Sequence, residues 1–196
     1  MPVAGVAIAS ASSVPWADVQ AVFGTRGDPS RCWCQFFLLS NSEFRETDAA
    51  ACSAMLRDRV ERNSVSPGLI GYLDGEPVGW CAVEPRTNYP IVIRSRVVTG
   101  GSVESADDPS VWAIVCFVVR TEFRRRGVSA ALVSAAVGWA RDHGARVIEG
   151  YPVDTTERQK VGAADLYHGT VSLFESAGFD VAARPSLGRA LMRLEL

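Results

Sequence analysis

The sequence predicts a single-domain mixed α/β fold, in which an antiparallel hairpin adjoins a parallel β-α-β core in one central sheet flanked by helices. Three stretches predict it. Val111–Val119, "VWAIVCFVV", is a nearly unbroken apolar run rich in β-branched residues, the pattern of a strand buried on both faces. Val128, Ala131, Leu132, Ala135 and Trp139 follow at helical spacing, and then comes the strand-like "ARVIEGYPV". Strand, helix and strand within about 40 residues make a right-handed crossover between parallel strands. Upstream, "GLIGYLDGEPVGWCAVEP" places two short strands around Asp74-Gly75, a pair that favours hairpin turns. At 196 residues, 47% of them hydrophobic, the chain has the size of one domain with a real core. It is read as one unit over 1–196, with N-terminal helices in residues 1–64 and the β-α-β core in residues 65–196.

The other elements follow in order. "MPVAGVAIAS" is apolar but has no basic leader, so a first strand is expected rather than a signal peptide. Pro15 precedes Trp16, Val19, Val22 and Phe23, whose spacing predicts an amphipathic helix ended by Gly24. After a mixed aromatic stretch containing "CWCQFF", a second helix is expected from Thr47 to Arg62, on its alanines, Met55, Leu56 and Val60. Residues 85–110 read as looser, broken by prolines and glycines, with a strand or a short helix in "PIVIRSRVV". Gly144 ends the crossover helix, with His143 as a capping residue. "GTVSLFESAGF" predicts a short helix from Thr170 stopped by Gly178, and "ALMRLEL" a closing strand.

Charge and composition exclude several functions. A formal net charge of -2 gives no general attraction to polyanions, so no nucleic-acid partner is expected. Nowhere do about 18 apolar residues run together, so no membrane span is expected. Five scattered cysteines, an odd number, suit reduced thiols in a cytoplasm. Cys32 and Cys34, with only His143 and His168 as imidazoles, lack a four-ligand zinc pattern, so no metal is expected. Cys116 reads as a core thiol.

In this acidic chain, "EFRRRGVSA" sets three arginines and a glycine at the junction of the buried strand with the crossover helix. The first amides of a helix lack intrahelical partners, and with the helix dipole they favour a phosphate. Gly127 lets a diphosphate approach the backbone, and Arg124, Arg125 and Arg126 add charge and forked donors. Neither GxGxxG nor GxxxxGK[ST] occurs, which removes the main support for dinucleotide and nucleoside-triphosphate folds.

The segment "CFVVRTEFRRRGVSAALVSAAVGWARDHGARVIEGYPV" resembles the acetyl-CoA binding core of the GCN5-related N-acetyltransferase (GNAT) superfamily. Its signature, Arg/Gln-x-x-Gly-x-Gly/Ala, lies between a buried strand and a helix. Arg124 and Gly127 match, and Ser129 stands where Gly or Ala is usual, its hydroxyl adding a phosphate donor. "SLFESAGF" resembles the family's C-terminal helix with its Gly-Phe ending, and the order of elements agrees over residues 65–196. The resemblance implies acetyl-CoA as co-substrate, lying in a split between the two parallel strands. It implies that the backbone of Phe117, Val118 and Val119 pairs with the pantetheine arm. Arg124 and the turn Arg125, Arg126, Gly127, Val128, Ser129 and Ala130 would cradle the pyrophosphate, and Phe174 is counted among the cofactor contacts. Residues 1–64 become the acceptor side. The expected partner is an amine, small or on a protein, and a homodimer is allowed.

Acetyl transfer to an amine calls for a base more than an acid, because a lysine-like ammonium has a pKa near 10.4 and a thiol one near 8.5. The family's usual carboxylate positions fall at about Val115 and Cys116, and its usual tyrosine position holds Phe174. The replacements expected are Glu149 as base, with Glu84 and Asp154 behind it, and Tyr167 as acid, with Tyr151 second. The polar loop Asp154–Gly169 is expected to act as a lid over the acceptor. The expected reaction is direct attack on acetyl-CoA in a ternary complex. The alternatives are a catalytically weak acetyl-CoA sensor, and transfer of another acyl group or to another acceptor.

Overall fold

The computed structural model describes residues 5–157, 162 and 165–196. The described residues form a seven-stranded sheet in the order β1-β2-β3-β4-β5-β7-β6. Its strands are β1 (Val6–Ser10), β2 (Gly68–Leu73), β3 (Glu76–Pro85), β4 (Val111–Val119), β5 (Val147–Gly150), β6 (Asp180–Ser186) and β7 (Arg189–Glu195). Strands β4 and β5 pair in parallel and the other neighbours antiparallel, so the expected mixed sheet is present. Asp74 and Gly75 both adopt positive φ, 54° and 81°, the twist that a tight hairpin between β2 and β3 requires.

The helices are α1 (Trp16–Phe23), α2 (Gly27–Cys32), α3 (Asn41–Glu46), α4 (Ala49–Arg62), α5 (Pro90–Ile93), α6 (Arg96–Thr99), α7 (Val128–Asp142) and α8 (Val171–Glu175). Helix α4 begins where the Asp48 side chain accepts the Ala51 amide at 2.7 Å. Helix α3 carries a reciprocal capping box between Ser40 and Glu43. "PIVIRSRVV" resolves into the two short helices α5 and α6. At the end of α7, His143 Nδ1 lies 2.8 Å from the Trp139 carbonyl, the capping contact expected of it. None of the described helices is long and apolar enough to cross a membrane.

The sheet divides two apolar layers. One packs α7 and α8 against Leu69, Val83, Ile114, Phe117 and Ile148; the other packs the N-terminal helices against Ile70, Trp80, Ala113, Val115 and Val118. Strand β4 is buried along eight of its nine residues, as its sequence predicts. Contact with α7 is close enough that a Cβ on Gly79 would lie 2.6 Å from Val128 Cγ1.

One strand was not expected. Residues "DVAARPS", which include an arginine and a proline, form β6 at the sheet edge, paired only with β7. An edge strand tolerates proline and polar residues because one row of its backbone groups faces away from the sheet.

Candidate active site

Strands β4 and β5 stay paired only from Val111↔Val147 to Ile114↔Gly150. Beyond that, β4 continues alone on this side to Val119. Two features drive the strands apart. Pairing with β3 skips a residue between Ala82↔Cys116 and Val83↔Ile114, so Val115 is the extra residue of a bulge that bends β4. Beneath the fork, the Phe174 ring presses on Gly150, where a Cβ would lie 2.1 Å from the ring, and meets Phe117 edge-on at 6.0 Å.

The fork holds the turn Leu166–His168. His168 Nδ1 lies 3.2 Å from the Val115 carbonyl, which can only accept, so the imidazole carries its proton there. Burial, and then the charge of Arg189, hold its pKa down to about 3 from 6.5. The folded state therefore prefers the neutral ring. The stability this contributes is complete above pH 6.5 and is lost as pH falls toward 3. Denaturant titrations between pH 7 and pH 4 should show that loss, and His168→Asn should make it shallower. An equal loss in the variant would assign it to other groups.

A cleft of about 1340 Å³ opens from this fork. One half of its wall is Phe117, Val118 and Val119 of β4 together with Arg124, Arg125, Gly127, Val128, Ser129 and Ala130. Gly127 (φ 80°) and Arg125 (φ 61°) are both left-handed, which turns the chain sharply into α7. The first intrahelical bond there is Ala131 N–H to Gly127 O at 3.0 Å, and no side chain caps the helix. The amides of Val128, Ser129 and Ala130 thus precede the hydrogen-bonded ladder, at the cleft wall. At this corner, open helix amides flanked by arginines suit an anion.

Two side chains expected in this half are not on its wall. The Arg126 guanidinium lies over the Phe123 ring at 5.5 Å and 3.9 Å from Asp74, off the cleft wall. Phe174 is fully enclosed, so it shapes the fork from below, behind Phe117, and is not itself on the cleft wall.

The other half comes from residues 21–44, with Leu166 and Tyr167. Tyr167 stands on the wall, and burial pushes its phenol up to about 12. Cys32, Cys34 and Cys116 line the inner end. Burial raises the Cys32 pKa to about 12, and a hydrogen bond with Cys34, followed by burial, raises that of Cys116, so both remain thiols. All five cysteines are free, and among the described residues no three His, Cys, Asp or Glu side chains form a metal-binding group.

Glu149 lies in a different place from the one its expected role needs. It is wholly buried, 2.8 Å from the equally buried Arg86 guanidinium, with Tyr151 Oη donating at 2.8 Å and Ser102 Oγ at 2.5 Å. Arg86 also donates to the carbonyls of Glu104 and Ser105, at 3.1 and 2.7 Å. The carboxylate therefore ties the segment 86–105 to the sheet and has no face on the cleft. Tyr151 is committed to the same cluster. Glu84 is buried against Arg59 and Asn88, and Asp154 is held by Thr156 and Arg184. Of the expected lid, residues 158–161, 163 and 164 lie outside the described residues.

Residues 33–169 match the sequence model of the Acetyltransferase (GNAT) family. The chain belongs to that family. No curated protein sequence matches it. Among solved structures, it resembles ribosomal-protein-alanine N-acetyltransferase from Brucella melitensis at 16% identity, with 97% of this chain and 99% of that one covered and a TM-score of 0.57. A putative acetyltransferase, yncA, from Salmonella typhimurium, solved with its cofactor acetyl-CoA, is similar at 16% identity and TM-score 0.56, covering 98% and 94%. A GCN5-related N-acetyltransferase from Kribbella flavida reaches 18% and 0.56, with 98% of both chains covered. At such identities the likeness is one of fold.

Within this GNAT fold, sequence reasoning missed two functional candidates. Asp28 and Glu122 are the carboxylates on the described cleft wall, and Glu122 is held by Arg120 at 2.7 Å. Among the described residues, Asp28 has no ion-pair partner. Its signal in the sequence was slight: one acidic residue in the loop-like "TRGDPS". His168 was passed over as an isolated imidazole, since only folding brings it to Val115.

Proposed function

We propose that this GNAT protein is an acetyl-CoA-dependent N-acetyltransferase in which the amine attacks the thioester directly. The observation that carries the reading is that one continuous cleft joins the free edge of β4 and the arginine-flanked amides of α7 to the aromatic wall of residues 21–44. Both substrates then share one chamber.

The anion corner suits the pyrophosphate of acetyl-CoA, with amides of Gly127 to Ala130 and the Arg124 and Arg125 side chains as its donors. The free edge of β4 at Phe117–Val119 offers the pantetheine arm a strand-like partner. When bound, the co-substrate supplies a thioester carbonyl for attack. The amine nitrogen forms the new bond to that carbon and the carbon–sulfur bond breaks. The ammonium sheds one proton before attack and the amide nitrogen another after it, and one of these equals the proton that the departing thiolate takes up.

Un-ionised Cys32 and Cys116 are poor nucleophiles, which argues against an acetylated-cysteine intermediate. Initial rates at varied amine and acetyl-CoA, read by free-thiol release, should give intersecting double-reciprocal lines. Parallel lines would defeat the direct mechanism.

Tyr167 remains protonated at neutral pH because burial raises its pKa to about 12. Full transfer to a thiolate of pKa near 8.5 runs uphill, so its role is a hydrogen bond to the developing charge on sulfur. Tyr167→Phe should lower kcat by about tenfold, the scale of one such bond, with little change in acetyl-CoA affinity. Unaltered kcat would remove Tyr167 from the reaction.

The sequestration of Glu149 favours one further reading, a weakly catalytic acetyl-CoA sensor. Robust turnover with any amine excludes it. The free thiols fit a reducing compartment such as the cytoplasm.

A further inference from the structure

The half of the cleft away from the anion corner has a chemistry that narrows the acceptor. Phe44, Phe36, Phe37 and Tyr167 stand in an edge-to-face row, with ring centroids separated by 5.7, 5.5 and 6.1 Å. The row runs inward from Phe36, 38% exposed, to Phe37, 3% exposed, and Leu166 on the same wall is 43% exposed. Large apolar groups left open inside a cleft are unsatisfied surface that a ligand of like character would cover.

The charges are as selective as the rings. On this half of the wall Arg26 and Arg31 contribute positive charge against the single carboxylate of Asp28; Arg124 and Arg125 belong to the anion corner, and Arg120 is paired with Glu122. Arg31 spends its guanidinium on the Thr47 carbonyl, at 2.6 Å, and on the Phe44 ring, at 5.5 Å. Asp28, three residues before Arg31, lies on the same face of α2. It is the one carboxylate on the described wall without an ion pair.

Resting on the acetyltransferase reading above, the geometry points to an acceptor with a single amine on an aromatic or bulky apolar body. Its ammonium is received at Asp28, its body lies against Phe36 and Leu166, and it carries no second positive charge. A polyamine or a lysine-rich peptide would bring further cations toward Arg26 and Arg31, with no second unpaired carboxylate on the described wall to meet them. This unfavourable pairing sets specificity as much as the ring contacts do.

The test uses the full chain with saturating acetyl-CoA. Thiol release is compared for phenethylamine, tryptamine, spermidine and a lysine-rich peptide, while calorimetry measures acetyl-CoA affinity separately. The expected result is kcat/KM for the two aromatic amines at least about tenfold above the polycations, the discrimination that apolar contacts of this size supply. Phe36→Ala should raise KM for phenethylamine by about tenfold, and Asp28→Asn should raise it for both aromatic amines, with acetyl-CoA affinity unchanged in each. Phe36→Leu should recover most of the loss. Equal or better use of spermidine or the peptide overturns the inference, as does an unchanged KM in Phe36→Ala. No turnover of any amine by protein that binds acetyl-CoA also overturns it, and leaves the cofactor site standing. Failure to bind acetyl-CoA overturns both.

Discussion

Gly127→Glu should abolish acetyl-CoA binding while the protein stays folded. The carboxylate would stand at the mouth of α7, where the first free amides and the arginines form the anion corner. Like charges about 4 Å apart repel by about 4 kcal/mol at an effective dielectric of 20, and the loss in affinity is on the order of a thousandfold. Gly127 is left-handed, φ 80°, so glutamate also carries a backbone cost of about 1–2 kcal/mol there. Gly127→Asn separates the two effects, because asparagine tolerates this conformation and brings no charge. The Asn variant should bind acetyl-CoA within a few-fold of the parent, by calorimetry, while the Glu variant gives no measurable heat. Undiminished affinity in a folded Gly127→Glu protein would place the pyrophosphate elsewhere.

Arg86→Met should be the most destabilising single change in the sheet's interior. Removing the guanidinium leaves the Glu149 carboxylate, wholly buried, without its counter-charge, and the Glu104 and Ser105 carbonyls without their donor. Breaking a buried pair from one side costs about 3–5 kcal/mol. In a protein of this size that corresponds to a fall in Tm of about 6–20 °C. The double variant Arg86→Met, Glu149→Leu should recover part of the loss, since no charge is then stranded. Glu149→Gln tests the other role once considered for this residue. It should lower Tm yet leave the pH profile of kcat/KM unchanged, and loss of an ionisation from that profile would return Glu149 to the chemistry.

The half of the cleft proposed for the cofactor is built from local signals. Phe117–Val119, Arg124, Arg125 and Gly127–Ala130 reach the wall together because a buried strand must be followed by a turn, and that turn by the open amides of a helix. The Arg126 side chain is the part of this turn that only folding places: three consecutive arginines point in different directions, and "RRR" does not say which one turns back onto Phe123. The other half carries fewer local signals. Glu149 looked available as a carboxylate at a strand end, but its partner Arg86 lies 63 residues away in a segment that read as loose. Strand β6 escaped notice because its residues carry no apolar run, and only pairing with β7 defines it.

By itself, the sequence determined the hairpin at Asp74-Gly75, the doubly buried β4, the crossover through α7 and the cationic turn between them. Each rests on periodicity or backbone preference acting over a few residues. Only the tertiary structure decided where β4 parts from β5, which rings line the acceptor side, and which carboxylates meet the cleft. The unbroken apolar pattern of "VWAIVCFVV" conceals the bulge at Val115, because a strand buried on both faces shows no alternation by which a skipped residue could be seen. Whether a charge is spent in the core or left facing a ligand depends on distant partners, and that is a property of packing.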